Sequence, residues 1–216
     1  LFDGQHRLLA CVETGIPFET VVSRGVNQDR LHTIDSGKSR NTSDSFYMHN
    51  IKNATNMAAL ASKYFLFKNN IIGFSSSDGK TTTIKHKSLR QQMLDDYFKN
   101  EELYNSIIEF ATQCYSKYRL LTPSEVGGLF MWLVREKSYN YDFVKTFFEN
   151  LFLIDNDVIH PILLLKIRLI QNMSSSRKIT ARVKSNLIAK TWNAYVEGKD
   201  FKVLKWAEEE GDIEFK

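Results

Sequence analysis

The chain has 216 residues, 43% of them hydrophobic and 25% charged, with a formal net charge of +4. That is enough chain for one large domain or two small ones with a real core, and the balance excludes disordered and fibrous classes while leaving partners undecided. No apolar run approaches the roughly 18 residues of a membrane span, so no membrane partner is expected.

Ten Gly and three Pro leave few helix breakers, and fifteen Phe with nine Tyr point to aromatic-rich helix packing. Cys11 and Cys114 are lone thiols inside helical patterns, expected to be buried and free, as in a reducing cytoplasm. The histidines His32, His49, His86 and His160 form no metal-ligand spacing with cysteine or with one another. There is also no nucleophile elbow and no HExxH pattern.

The chain opens on Leu1-Phe2-Asp3-Gly4-Gln5-His6-Arg7-Leu8-Leu9-Ala10. Two apolar residues run into Asp-Gly, and a helical pattern with Leu8, Leu9 and Val12 follows at once. This predicts a strand end, a tight turn and a helix over residues 5–14, closed by Gly15 and Pro17. Gln5, His6 and Arg7 then lie where helix N–H groups lack intrahelical partners and the dipole is positive. Such a place receives anions, and the Arg7 guanidinium matches phosphate oxygens. The residues themselves admit two readings, a phosphate-binding turn or an ordinary strand-to-helix turn with an exposed arginine.

Phe18-Glu19-Thr20-Val21-Val22 reads as a strand. Asn27 can cap a short helix with Leu31 and Ile34 inward, and Asp35-Ser36-Gly37-Lys38 is a turn. Gly37-Lys38-Ser39 is not a P-loop, because the glycine required five residues earlier is His32. A solvated basic turn and a second phosphate contact through Lys38 and Arg40 both remain open.

These residues resemble a family. Leu1 to Ala10 looks like the DGQHR-type signature of the ParB/sulfiredoxin superfamily, nearest to ParB-like proteins of phages, plasmids and bacteria. The likeness continues through Gly15-Ile16-Pro17-Phe18 and Ile34-Asp35-Ser36-Gly37-Lys38-Ser39-Arg40 and covers roughly the first 45 residues. It implies a nucleotide held at the turn by its phosphates, CTP or ATP with Mg2+, contacted by Gly4, Gln5, His6 and Arg7. Sulfiredoxins carry a cysteine where this chain has Gln5, so sulfinic-acid repair lacks its nucleophile. Chromosome-partition proteins carry Glu-Arg-Arg where this chain has Gln-His-Arg, so CTP specificity does not transfer. The family's preceding strands are expected to lie before Leu1. Asp3 either shapes the turn or holds a metal through the nucleotide, and Asp3 and His6 are the candidates for any catalytic role. The resemblance also implies a DNA-associated, cytoplasmic protein of a bacterial or phage-infected cell, with a homodimer as a further possibility.

Beyond residue 41 the pattern is helical. Helices are expected at 44–50, 55–69, 86–99 and 101–118, with a loop or subdomain boundary at 71–83. Thr122-Pro123-Ser124-Glu125 carries the marks of a capping box with proline in the first turn. Gly127 and Gly128 inside the helix it starts predict a close helix crossing. Phe143, Val144, Phe147, Phe148 and Leu151 form the next stripe. The nearly continuous apolar run of residues 162–170, entered through His160-Pro161, predicts a central helix. A last helix is expected at 180–196 and a short closing strand at 201–206. Trp132, Trp192 and Trp206 fit core positions better than base-stacking platforms.

Residues 158–196 contain no Asp or Glu but include Lys166, Arg168, Arg177, Lys178, Arg182, Lys184 and Lys190. A locally basic face suits a polyanion, with Arg177, Lys178, Arg182, Lys184 and Lys190 as DNA contacts. The alternative is a solvated face balanced by Glu208, Glu209, Glu210, Asp212 and Glu214 of the tail. Lys80, Lys85, His86, Lys87 and Arg90 form a second basic cluster.

The expected architecture is α-rich α+β, a ParB/sulfiredoxin-like portion over 1–45 followed by a helical domain over 46–216. The expected function is nucleotide-dependent DNA association. A nuclease or nucleotide-hydrolysing phosphotransferase of the same superfamily, and a non-catalytic interaction module, are the alternatives.

Overall fold

The computed structural model describes residues 4–25, 41–69, 82–152, 160–176 and 178–216. Asp3, the region of Asn27, Leu31 and Ile34, the turn with Lys38 and Arg40, positions 71–81 and Arg177 lie outside the described residues. The chain forms two units, Leu1–Asn41 and Thr42–Lys216.

In the first unit, α1 spans Gln5–Thr14. Gly4 precedes it at φ 85° and Gly15 follows at φ 67°, both left-handed positions that favour glycine. The residues expected as a strand, 18–22, have no ladder partner among the described residues. A β-rich pattern makes a strand only where a second edge takes up its N–H and C=O groups.

Among its described residues the second unit is predominantly helical and contains no strand. Its elements are α2 (Thr42–Met48), α3 (Ala54–Lys68), α4 (Thr82–Lys99), α5 (Glu101–Lys117), α6 (Pro123–Arg135), α7 (Tyr141–Phe152), α8 (His160–Ser174) and α9 (Ala181–Glu197). The capping box forms as expected: the Glu125 amide donates to Thr122 Oγ1 at 3.3 Å, and the Thr122 amide donates to Glu125 Oε2 at 2.7 Å.

The centre of this unit is the crossing of α3 and α6. A Cβ added at Gly128 would lie 2.3 Å from Lys63 Cβ and 3.0 Å from the Tyr64 amide nitrogen. One added at Gly127 would lie 2.6 Å from Leu60 Cδ1. Gly128 therefore lets the α6 backbone meet that of α3, and Gly127 makes room for the Leu60 side chain, at the cost of helix propensity. Around the crossing, Leu60, Ala61, Tyr64, Tyr104, Ile107, Val126, Leu129 and Phe130 are completely or almost completely buried.

One face of this core carries a polar network. Arg135 Nη1 donates to both oxygens of Asp96 at 2.7 and 2.8 Å, and the Tyr104 hydroxyl donates to Asp96 Oδ2 at 2.9 Å. The Tyr64 hydroxyl and Lys68 Nζ both donate to Glu136 Oε1, the latter at 2.9 Å. Burial, with the Asp96 carboxylate beside it, pushes the Tyr104 phenol far up, so it stays a donor. Burial alone would raise the Glu136 pKa, but the Tyr64 hydroxyl and the Lys68 ammonium outweigh it and hold it low.

The helix expected to be central, α8, lies at an edge. It packs against α7 and α9, buries Ile162, Leu165 and Leu169, and leaves Leu163, Ile167 and Ile170 at least a third exposed. An apolar run does not say which helix takes the middle; the glycine pair of α6 decides that, by permitting the closest approach. The aromatic stripe of α7 meets α9, where Trp192 contacts Tyr139, Phe143 and Phe147 at ring-centroid distances of 5.0, 5.9 and 5.1 Å. Trp192 is fully buried, and Trp132 and Trp206 pack partly buried against the core.

The expected closing strand at 201–206 is not formed. The C-terminal segment is held instead by side chains of α9. The Ile213 amide donates to Asn186 Oδ1 at 2.6 Å, and the Lys216 amide donates to Asn193 Oδ1 at 2.9 Å. Asn193 Nδ2 donates to the Glu214 carbonyl at 2.8 Å. Carboxamides thus take the place of a neighbouring strand edge. Phe215 anchors the end against Phe67 and Trp132.

Replacing Gly128 with Ala should gain about 1 kcal/mol of helix propensity but cost about 3 kcal/mol through overpacking against rigid backbone. A net loss of about 2 kcal/mol is expected by urea denaturation. For Glu136, whose folded pKa is depressed below its ordinary 4.5, the stabilisation is complete above that value and lost as the pH falls through the folded one. Glu136→Gln should therefore lower stability at neutral pH and flatten its decline below pH 4.5, as read from denaturation midpoints across that range.

Candidate functional site

Two candidate sites follow from the sequence, one in each unit. In the first unit the α1 ladder begins with the Leu8 amide donating to the Gly4 carbonyl at 2.9 Å. The amides of Gln5, His6 and Arg7 lie outside that ladder, at the positive end of the helix. The first turn of α1 contains no acidic residue, and its N-cap residue, Gly4, offers no side chain to cap it. Gln5, His6 and Arg7 are exposed, and Gly4 is half-buried. The first-turn amides and the Arg7 residue thus belong to one helix end, a place that suits an anion. Asp3, Lys38 and Arg40, the other residues expected here, lie outside the described residues.

The described residues contain no group of three or more His, Cys, Asp or Glu that could hold a metal. Amide donors at a helix start are of the kind that would hold an anion. A Mg2+ ion would take its ligands chiefly from the phosphates of a nucleotide.

In the second unit the cations expected to form one basic face are divided among three places. Lys178 Nζ donates to the carbonyls of Asn172 and Met173, at 2.9 and 2.6 Å, and so closes the C-terminal end of α8. Lys184 turns toward α6, where its Nζ lies 2.8 Å from Glu125 Oε1 with both side chains largely buried. Arg182 and Lys190 lie eight residues apart on the α9 face that also carries Asn186 and Asn193.

The acidic tail lies on that last face. Arg182 Nε donates to Asp212 Oδ1 at 2.8 Å, with its guanidinium 5.5 Å from the centre of the Trp206 ring. Lys190 Nζ donates to the Lys205 carbonyl at 2.8 Å and to Glu210 Oε2 at 3.2 Å. Asn186 Nδ2 adds a bond to Asp212 Oδ1 at 2.9 Å. The bond from Lys190, then that from the Ala207 amide, holds the Glu210 carboxyl below its usual range. Arg182 and then Asn186 do the same for Asp212.

Sequence reasoning identified both the cations and the acids of the tail. It missed that Glu125, the expected capping-box acid, also pairs with Lys184, and it missed Asn186 and Asn193. Their spacing of seven, on the helix face that also carries Arg182 and Lys190, was the available signal. Lys63 was also missed. Burial pushes its ammonium pKa down, with Glu125 opposing and Lys184 adding to the shift.

The two thiols differ, contrary to the expectation that both are buried. Cys114 is completely buried in α5, and burial pushes its pKa up to about 12. Cys11 is half-buried on α1, a helix with no fully buried residue. A disulfide-exchange reagent at neutral pH should modify Cys11 readily and Cys114 only after unfolding, with one thiol released in the native protein and two in denaturant.

No protein-family model, no curated protein and no solved structure matches this chain.

Proposed function

We propose that the chain binds a nucleoside triphosphate through its Gly4–Arg7 turn and associates with DNA through cations of its helical unit. The observation that carries the first part is the left-handed Gly4 placed directly before α1, with Gln5, His6 and Arg7 exposed and no acidic residue in the first turn. An anion there gains both the amide donors and the dipole, and Arg7 adds a bidentate partner. The resemblance of the first 45 residues to ParB-like proteins supports a nucleotide, CTP or ATP with Mg2+, as that anion. The base is left to experiment, because Gln5 and His6 stand where the partition proteins have Glu and Arg.

The second part rests on the absence of acidic residues from 158–196. Arg182, Lys190 and Lys178 lie on the surface of the helical unit, while Lys184 is engaged with Glu125 inside it and serves structure. Phosphate contact by such cations is independent of sequence and releases counterions. Nucleotide bound at the turn would act by favouring one conformation over another, since a ligand shifts an equilibrium only by its differential affinity for the two states.

Calorimetry with CTP, ATP and GTP in the presence of Mg2+, with and without duplex DNA, tests this reading. Saturable binding of one triphosphate, weakened about tenfold or more by Arg7→Ala, is expected, equivalent to about 1.4 kcal/mol. Absence of binding by all three, with DNA present or absent, would remove the nucleotide from the account. Nucleotide turnover or DNA cleavage in the same samples would make the protein an enzyme rather than a switch.

A further inference from the structure

The arrangement of the C-terminal segment on α9 points to a regulated surface, an inference that rests on the DNA-binding reading above. We propose that the acidic segment 207–214 is a built-in competitor of the nucleic-acid backbone, occupying the cations of α9 that would otherwise contact phosphates.

Three observations carry this. First, the acids meet the cations one to one: Asp212 on Arg182 at 2.8 Å and Glu210 on Lys190 at 3.2 Å. These are charge-assisted bonds of the kind a phosphate oxygen makes with the same groups. Second, the segment is fastened through its apolar side chains and its backbone, not through its acids. Leu204 and Phe215 are buried, while Lys205, Glu209, Glu210, Asp212 and Glu214 are exposed. The acidic stretch therefore spans two anchors as a strap whose charges face solvent and the cations of α9. Third, the carboxamides of Asn186 and Asn193 hold the strap by its backbone. Replacing Glu210 and Asp212 by their amides removes charge while leaving those bonds and both anchors in place.

An exposed ion pair contributes little to stability. The strap's acids are thus cheap to exchange for another anion, and a polyanion offering many phosphates at once can compete with them. Arg182 and Lys190 are unmasked by that exchange. Lys184 is not, because its partner Glu125 belongs to α6 and is largely buried.

The test is anisotropy of the full chain with a labelled, mixed-sequence DNA duplex over a range of salt concentrations. The wild type is compared with Glu210→Gln/Asp212→Asn and with Glu102→Gln/Glu109→Gln, which removes the same charge from exposed positions of α5. The strap variant is expected to bind about tenfold more tightly at low salt, with a salt dependence steeper by about two counterions. The α5 variant should change affinity much less. Adding Arg182→Ala and Lys190→Ala to the strap variant should abolish the gain, and unchanged thermal melting of the strap variant excludes unfolding as its cause. Equal affinities of wild type and strap variant, or an equal gain in the α5 variant, would overturn the competitor while leaving DNA binding standing. No binding of DNA by any of the proteins would overturn both.

Discussion

The helical unit depends on the contact between Gly127–Gly128 of α6 and the Leu60–Tyr64 turn of α3. Two backbones approach until a single methyl group would not fit between them. Close approach maximises dispersion contacts in an interior already packed as tightly as a crystal. It also sets the distance at which the side chains on either side of the crossing must meet. Tyr64 reaches Glu136 and lies beneath the Arg135 guanidinium, and Arg135 reaches Asp96 on α4. The polar network is thus a consequence of the glycine contact. With its members hydrogen-bonded to one another, it fixes the order of α3, α4, α5 and α6, where apolar surfaces alone would tolerate sliding.

Charge in this unit follows a different logic. The cations of residues 158–196 have no acidic neighbours in sequence, so their partners come from elsewhere in the fold. Glu125 is 59 residues from Lys184 along the chain, and Asp212 is 30 from Arg182. On one face of α9, two of these cations, Arg182 and Lys190, pair with Asp212 and Glu210 of the acidic tail. This is the structural basis for treating the tail as an occupant of that surface rather than as a disordered end. The basic residues also differ in what they do. Lys178 closes a helix, Lys184 joins α9 to α6, and Arg182 and Lys190 hold the tail.

The first unit is built on turn chemistry. Gly4 and Gly15 bracket α1 in left-handed conformations, which the sequence signalled through Asp-Gly and Gly-Ile-Pro. The amide-rich helix start with Arg7 in its first turn was legible for the same reason, because caps and dipoles act within one turn of their own residues. The strand expected at 18–22 was not legible, since strand formation depends on a distant edge. The same reason explains 201–206, where the partner that replaces an edge is a pair of asparagines on α9.

From the sequence alone came the helices of the second unit, nearly to their ends, the Thr122–Glu125 capping box and the crossing marked by Gly127 and Gly128. These features are encoded within a few residues by period, cap and side-chain size. Only the tertiary structure decided that α3 and α6, rather than α8, hold the centre, and that α8 keeps Leu163, Ile167 and Ile170 exposed. It alone decided which cations are engaged and by which acids. Hydrophobicity and charge state how strongly a residue seeks a partner; the packed chain determines which partner it meets.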